Sequence, residues 1–326
     1  MLERLFNLAW YGRVPWTWLL WPLAVLVRVV TTRKRQAYLS APGASYDVPV
    51  IVVGNITIGG TGKTPVVQSI VQYLQGLGFR PGIISRGYGG TLDQFPHIIR
   101  AQDDSVRVGD EPFMLFQSLG VPVVVDPIRT RAVSCTLEAG VDIIISDDGL
   151  QHYQLHRDYE VCVIDGSRNL GNGQLMPVGP LREHKSRLGT VDYVLTNTLM
   201  ESDFTFQIEP VAWVNVLTEE HVSVQNFKVA SDALAIAGIG NPDKFKHTLA
   251  QLDVHCAHKW FADHHSYTAD DLDGLANQIL MTQKDAVKIK PFARDDMWYL
   301  KISAHLPSAF FQNLKLKLEQ WKQNHG

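Results

Sequence analysis

Short, uninterrupted apolar runs recur through the middle of the chain: VIVV at 50–53, GIIS at 82–85, VPVVVD at 121–126, VDIIISD at 141–147, EVCVID at 160–165 and DYVLTN at 192–197. Runs that are continuous, not alternating, belong to strands buried on both faces, which means a mostly parallel sheet covered by helices. The spacing between the first two runs predicts a helix from Thr64 to Gly76, with Val66, Val67, Ile70, Val71 and Leu74 on its inner face. These features predict a doubly wound α/β core. From 204 to 229 the pattern changes to alternation, as in FTFQIEPVAWVNV, and ALAIAGIG at 233–240 begins a second αβ unit. The last stretch, Ser308 to about Gln323, has helical spacing at Phe311, Leu314, Leu318 and Trp321 and reads as a surface helix. The expected organisation is an N-terminal segment over 1–30, a core domain over 31–203, a β-rich linker over 204–229 and a smaller C-terminal α/β lid domain over 230–326.

The N-terminal segment has its own pattern. Residues 14–27, VPWTWLLWPLAVLV, carry no charge and are flanked by Arg13 on one side and Arg28, Arg33, Lys34 and Arg35 on the other. The run is shorter than the roughly 20 apolar residues of a helical span, which suits an interfacial or re-entrant segment. Trp10, Trp16, Trp18 and Trp21 make up half of the chain's eight tryptophans. Indole favours the headgroup layer, and the basic cluster adds attraction to anionic lipid. Pro15 and Pro22 disfavour one straight helix, so a broken hairpin lying in one leaflet is expected.

Composition narrows the class without naming it. Of 326 residues, 45% are hydrophobic and 19% charged, as in a folded globular protein. A net charge of −3 argues against a protein whose main task is wrapping nucleic acid. Cys135, Cys162 and Cys256 are far apart and form no CxxC pair, so they read as buried thiols and not as a zinc site or disulfide framework.

The strongest chemical signal is VPVIVVGNITIGGTGKTP at 48–65, a strand, a glycine-rich turn and a helix start in register. Backbone N–H groups of Thr57, Ile58, Gly59, Gly60, Thr61 and Gly62 can cradle phosphates, Lys63 can reach the β and γ oxygens, and the Thr64 hydroxyl can hold Mg²⁺. The G-x-x-x-x-G-K-[ST] pattern places its first glycine at 57, where this chain has Thr57. A metal-facing carboxylate is expected at the end of another buried strand, and VDIIISDDG supplies Asp147 and Asp148. The fold expected is therefore of the P-loop NTPase type.

Other strings carry polar residues with no obvious structural need: SRGYGG at 85–90, VGDEP at 108–112, DDGLQH at 147–152, PVGPLRE at 177–183, FADHH at 261–265 and TQKDAVK at 282–288. With the N-terminal segment and ITIGGTGKTP, this set resembles the tetraacyldisaccharide 4'-kinase family of the lipid A pathway over nearly the whole chain, and Thr57 is itself usual there. The resemblance implies transfer of the ATP γ-phosphoryl group to the 4' hydroxyl of an acylated glucosamine disaccharide 1-phosphate. It implies a monomer on the cytoplasmic face of the bacterial inner membrane. It implies that Asp110 orients or deprotonates the sugar hydroxyl with His264 hydrogen-bonded to it, and that Lys63 and Arg182 act on the transferred phosphate. Glu111, Asp147, Asp148 and Gln151 would hold Mg²⁺, directly or through water, while Arg86, Tyr88, Arg131 and His152 would line the substrate side. Read from residue chemistry alone, Asp110 could instead cap a helix beginning at Glu111-Pro112, and nothing separates His264 from His265. A membrane-associated P-loop switch is the competing class, but the N-K-x-D string of a GTPase is absent and LTNT at 195–198 only echoes it.

Overall fold

The computed structural model describes residues 2–12, 14–41, 43 and 45–325, the side chains of residues 2–4 excepted; the flanking Arg13 lies outside the described residues. The first helix, Leu2–Tyr11, is followed by a 3-10 turn, Pro15–Leu20, and a helix, Trp21–Ser40, with a bend of 93° between the two helical arms. Pro15 and Pro22 each fall in the first turn of their element, where a missing N–H costs nothing. No single described helix is long and apolar enough to cross a membrane; only the bent pair together passes on length and composition. Trp16, Trp18, Leu19, Trp21, Leu23 and Leu26 are exposed, whereas Thr17 and Ala9 are buried. The buried side docks on the body of the protein: the Trp10 indole N–H donates to the Pro177 carbonyl at 3.0 Å and the Thr17 hydroxyl to the Val178 carbonyl at 2.9 Å.

The body is organised by one 13-stranded sheet. Its first seven strands are β1 (Val50–Gly54), β2 (Pro81–Ser85), β3 (His97–Ile98), β4 (Val123–Val125), β5 (Ile143–Asp147), β6 (Tyr159–Asp165) and β7 (Tyr193–Asn197). The last six are β8 (Thr205–Asn215), β9 (His221–Ser223), β10 (Leu234–Ala237), β11 (Ala257–Trp260), β12 (Ile279–Thr282) and β13 (Met297–His305). The order is β11-β10-β12-β13-β8-β7-β6-β1-β5-β2-β4-β3, with β9 on β8. All pairs from β7 to β4 are parallel, and β3 adds an antiparallel edge. The expected doubly wound, mostly parallel core is what forms. Successive side chains of a strand point to opposite faces. Ile51 and Val53 accordingly join one buried cluster while Val50 and Val52 join the other.

The β8 strand links the two halves of the sheet. Its start pairs with β7 in parallel through Thr196 and Thr205, and its length runs antiparallel to β13 from Gln207 to Asn215. The register shifts between Lys301 and Ile302, which face Ala212 and Pro210, so Val211 is left over as a bulge. The final helix, Ser308–His325, does not stay with the half that precedes it. Phe310, Leu314 and Leu318 are buried in the cluster of the first half, Phe310 meets the rings of Tyr159 and Tyr193, and the Tyr159 hydroxyl donates to Asn313 Oδ1 at 2.6 Å. The apolar stripe expected for a surface helix is there, and it covers a face of the first half of the sheet.

Candidate active site

The phosphate loop leaves β1 at its C-terminal end, between β5 and β6. Gly62 has φ +92° at the N-terminus of the Lys63–Gly76 helix, a conformation closed to ordinary L-residues, and it aims the first helical N–H groups at the space above the sheet. The side chain at 57 is tolerated because this part of the loop is not a tight turn. Thr57 bridges Leu181, the Ile58 N–H donates to the Pro180 carbonyl at 2.9 Å, and the Arg182 N–H donates to the Ile56 carbonyl at 2.7 Å. Residues 56–58 thus run extended against 180–182, and PVGPLRE is the strap that holds the phosphate loop.

Two adjacent carboxylates end β5 in different electrostatic settings. Asp148 sits at φ +48°, which turns it toward Lys63 Nζ at 3.5 Å and Arg182 Nη1 at 3.0 Å. Burial acts to raise its pKa, but the Lys63 and Arg182 charges prevail and hold it down to about 2. Asp147 is buried, and burial, reinforced by the negative charges of Glu111 and Asp148, pushes it up to about 7. Its Oδ1 has no hydrogen-bond partner, while Arg129 donates to its backbone carbonyl at 2.9 Å. Burial pushes Arg129 down to about 10, so it remains a cation at neutral pH. Burial, with the Arg129 and Arg86 charges, pushes His152 down to about 4 and keeps that ring neutral. Gln151 donates to the Asn55 carbonyl at 3.0 Å and to Glu183 Oε1 at 2.9 Å, with Glu183 also bonded by the Tyr153 hydroxyl.

Across the cavity, Asp110 opens the Asp110–Leu119 helix. Gly109 before it has φ +96°, and a Cβ there would lie 2.9 Å from the Tyr88 carbonyl, so VGDEP and SRGYGG can pack together only with glycine at 109. The N-cap position is held by Gly109, and Asp110 is the first residue of the helix. Its Oδ2 lies 3.1 Å from His264 Nδ1 and 3.8 Å from Lys288 Nζ. His264 has φ +57°, a sparsely populated conformation for a non-glycine residue, and this turns its ring toward Asp110. His265 is turned away, stacked on Phe261 and 3.3 Å from Asp271 Oδ2. Tyr88 packs edge-on against the His264 ring at 5.4 Å.

One cavity of about 1930 Å³ is lined from both halves of the sheet, by Lys63, Arg86, Glu111, Asp148, Arg182 and His264 among others, and the buried Asp110 adjoins it through His264. A drug-sized ligand fills roughly 300–1,000 Å³, so two substrates fit. Arg131 is not in it. Its guanidinium is paired with Asp126 at 2.5 and 2.9 Å and is partly exposed, and Arg129, two residues earlier, occupies the cavity wall. Residues two apart on a helix point to different faces, which is why the arginine is displaced by two positions from the one expected. Sequence reasoning also missed Lys244, whose Nζ crosses from the second half to Asp165 Oδ2 at 2.6 Å, and Lys284, 3.4 Å from His264 Nε2. TQKDAVK was a signal for Lys284; Lys244 had none.

A backbone anion cradle on one wall and a carboxylate–imidazole pair on the other are both used by one kind of chemistry, transfer of a phosphoryl group to an acceptor, and the class is that of P-loop phosphotransferases. The family described as tetraacyldisaccharide-1-P 4'-kinase matches residues 16–319, and the chain belongs to that family. A tetraacyldisaccharide 4'-kinase of Vibrio cholerae serotype O1 is 42% identical over 340 aligned positions, covering 100% of this chain and 99% of that one. One from Pseudomonas fluorescens is 46% identical over 315, covering 94% of each. The crystal structure of the "apo" form LpxK from Aquifex aeolicus in complex with ATP has a TM-score of 0.78 at 25% identity, over 93% of this chain and 99% of that one.

Proposed function

We propose that this chain transfers the γ-phosphoryl group of ATP to the 4' hydroxyl of a tetraacylated glucosamine disaccharide 1-phosphate, working as a monomer on the cytoplasmic face of the inner membrane. The observation that carries this reading is the Asp110–His264 contact facing the phosphate loop across a cavity with room for a nucleotide and a sugar headgroup. The Vibrio and Pseudomonas relatives are tetraacyldisaccharide 4'-kinases by name, and the Aquifex structure contains ATP. The exposed tryptophans and leucines of the N-terminal arms support a lipid surface as the place of work.

In this mechanism the loop backbone from Ile58 to Gly62 and Lys63 hold the phosphates, and Arg182 and Arg129 offset negative charge near the transferred group. Asp110 Oδ1 accepts the proton of the acceptor hydroxyl as its oxygen bonds to phosphorus and the bond to the ADP oxygen breaks. His264 holds Asp110 through Oδ2. Arg86, Tyr88 and His152 line the same cavity and are placed for the acceptor's polar headgroup.

The residues present fit Mg²⁺. Asp147 has a buried oxygen without a partner and a proton affinity that a bound cation would reverse. Among the described residues no three His, Cys, Asp or Glu side chains converge as a protein-only cage. Mg²⁺ is characteristically held by one or two carboxylates with phosphates and water. Asp147 and Thr64 would hold it, with Glu111 and Gln151 beside them, and Asp148 kept occupied by Lys63 and Arg182. Bound there, Mg²⁺ neutralises charge on the β and γ phosphates.

The test is incubation of labelled ATP with the acylated disaccharide in mixed micelles. Parent protein should give labelled lipid, and Asp110→Ala and His264→Ala should each lower kcat by roughly 10²- to 10⁴-fold. The double variant should be little worse than the worse single one, because paired groups act as a unit. An unlabelled lipid, or parental kcat in folded Asp110→Ala, would sink the reading.

A further inference from the structure

The segment TQKDAVK is absorbed by neither the phosphate cradle nor the acceptor-side pair, yet it lies directly behind that pair. Its helix, Gln283–Ile289, is fixed by Asp285, a fully buried residue whose carboxylate accepts from the Tyr267 hydroxyl at 3.0 Å, the Gly238 N–H at 3.0 Å and the Thr282 hydroxyl at 2.5 Å. Lys284 and Lys288 are four residues apart and so share one helix face. Lys284 is mostly buried. Its Nζ lies 3.4 Å from His264 Nε2, 3.7 Å from Glu111 Oε1 and 3.7 Å from Asp263 Oδ1. Lys288 Nζ lies 3.8 Å from Asp110 Oδ2 and 5.1 Å from the centre of the Tyr267 ring.

A neutral imidazole has one donor nitrogen and one acceptor nitrogen, a lysine ammonium has donors only, and an ionised carboxylate accepts only. Nε2 of His264 faces the ammonium and must therefore be the acceptor. Nδ1 faces the Asp110 carboxylate and must be the donor. The two contacts select the same tautomer. Without the ammonium there is a competitor: Asp263 Oδ1 lies 3.9 Å from Nε2 and already accepts from the His264 backbone N–H at 3.0 Å. A proton moved to Nε2 would serve Asp263 and turn the Nδ1 lone pair against Asp110.

We infer that Lys284 is a positioning residue that locks His264 in the Nδ1–H tautomer, so that His264 donates to Asp110 Oδ2 and leaves Oδ1 for the acceptor hydroxyl. The inference rests on the proposed pairing of Asp110 with His264 in catalysis. Lys284 need touch neither substrate, and its effect passes through the ring it faces.

The experiment reads the tautomer and the kinetics separately. In ¹⁵N-histidine-labelled full-length protein, with the His264 signals assigned by their loss in His264→Gln, the parent should show a protonated Nδ1 and an unprotonated Nε2. Lys284→Met should shift protonation toward Nε2 and lower kcat by roughly 10- to 100-fold, the usual scale for a group that orients an active ligand, with the KM for ATP near parental. Lys284→Arg, which keeps N–H donors, should hold the Nδ1–H form and recover most of kcat. A parent spectrum with Nε2 protonated would overturn the inference whatever the variants do. So would an unchanged His264 spectrum in Lys284→Met, or a raised KM for ATP at unchanged kcat, the mark of a lysine that binds phosphate. Failure of the underlying pairing has a different signature: parental kcat in Asp110→Ala and His264→Ala, whatever the tautomer of His264.

Discussion

Asp147→Asn should stabilise the metal-free protein at alkaline pH while abolishing its Mg²⁺-dependent turnover. The carboxyl is pushed from 3.8 to about 7 in the folded state by burial and by its acidic neighbours Glu111 and Asp148. Below the unfolded value it is neutral in both states and costs nothing. As the pH rises from there to about 7, the unfolded chain releases the proton and the folded chain keeps it, so stability is lost progressively; above the folded value the whole penalty is present. A difference of about three units, at about 1.36 kcal/mol each, amounts to about 4 kcal/mol. An uncharged amide of the same shape avoids this cost. For a chain of this length 1 kcal/mol moves the melting temperature by roughly 1 to 2 °C, so a gain of about 4 to 8 °C is expected near pH 8. The gain should shrink toward zero near pH 3, below the unfolded value, where the parent carboxyl is largely neutral in both states. The assay is thermal unfolding of both proteins in chelator across this pH range, repeated with Mg²⁺ and nucleotide. Metal and nucleotide should raise the parent more than the variant. Equal melting temperatures near pH 8, or a gain independent of pH, would refute the assignment of Asp147 as a buried carboxylate that its metal-free surroundings disfavour.

Lys244→Ala should destabilise the protein by about 1 to 3 kcal/mol, since Asp165 is buried and loses its ion partner while the lysine itself is partly solvated. Asp165→Asn should recover much of that loss in the double variant, and chemical denaturation of all four proteins checks it; additive losses would mean the 2.6 Å contact does not couple the halves. Deleting residues 1–30 should move the protein from the vesicle-bound to the soluble fraction on sedimentation, because the exposed tryptophans and leucines go with it. Undiminished sedimentation with vesicles would place the lipid contact elsewhere.

Features governed by the backbone were legible in the sequence, and features governed by the direction of single side chains were not. The core strands announced themselves because both their faces are covered, which leaves no polar position to interrupt Val50 to Val53 or Ile143 to Ile145. The phosphate loop was legible for a similar reason, since glycines and a helix start suffice to make it. The Asp110–His264 pair came only from resemblance: its members lie 154 residues apart, and one left-handed backbone conformation, at His264, decides which of two adjacent rings faces the carboxylate. Arg129 and Arg131 have the same chemistry and differ only in the direction they leave the helix. The stripe on Ser308–His325 showed that a face is buried, but an amphipathic pattern carries no information about which surface covers it.

The continuity of β8 has a mechanical consequence. At about 3.3 Å per residue its 11 residues span roughly 36 Å, and it is hydrogen-bonded to β7 at its start and to β13 along the rest. Two bodies joined by an unbroken ladder cannot slide past one another without breaking the whole row of bonds, but they can tilt where the ladder is already irregular. That place is the bulge at Val211, next to Pro210, which has no N–H to donate. A tilt between the halves at that point would break fewer ladder bonds than one elsewhere along β8. The His264–Asp110 and Lys244–Asp165 contacts come from different segments of the second half and meet different walls of the first. A tilt at Val211 would therefore strain both contacts at once, because both bridge the cavity from the second half to the first.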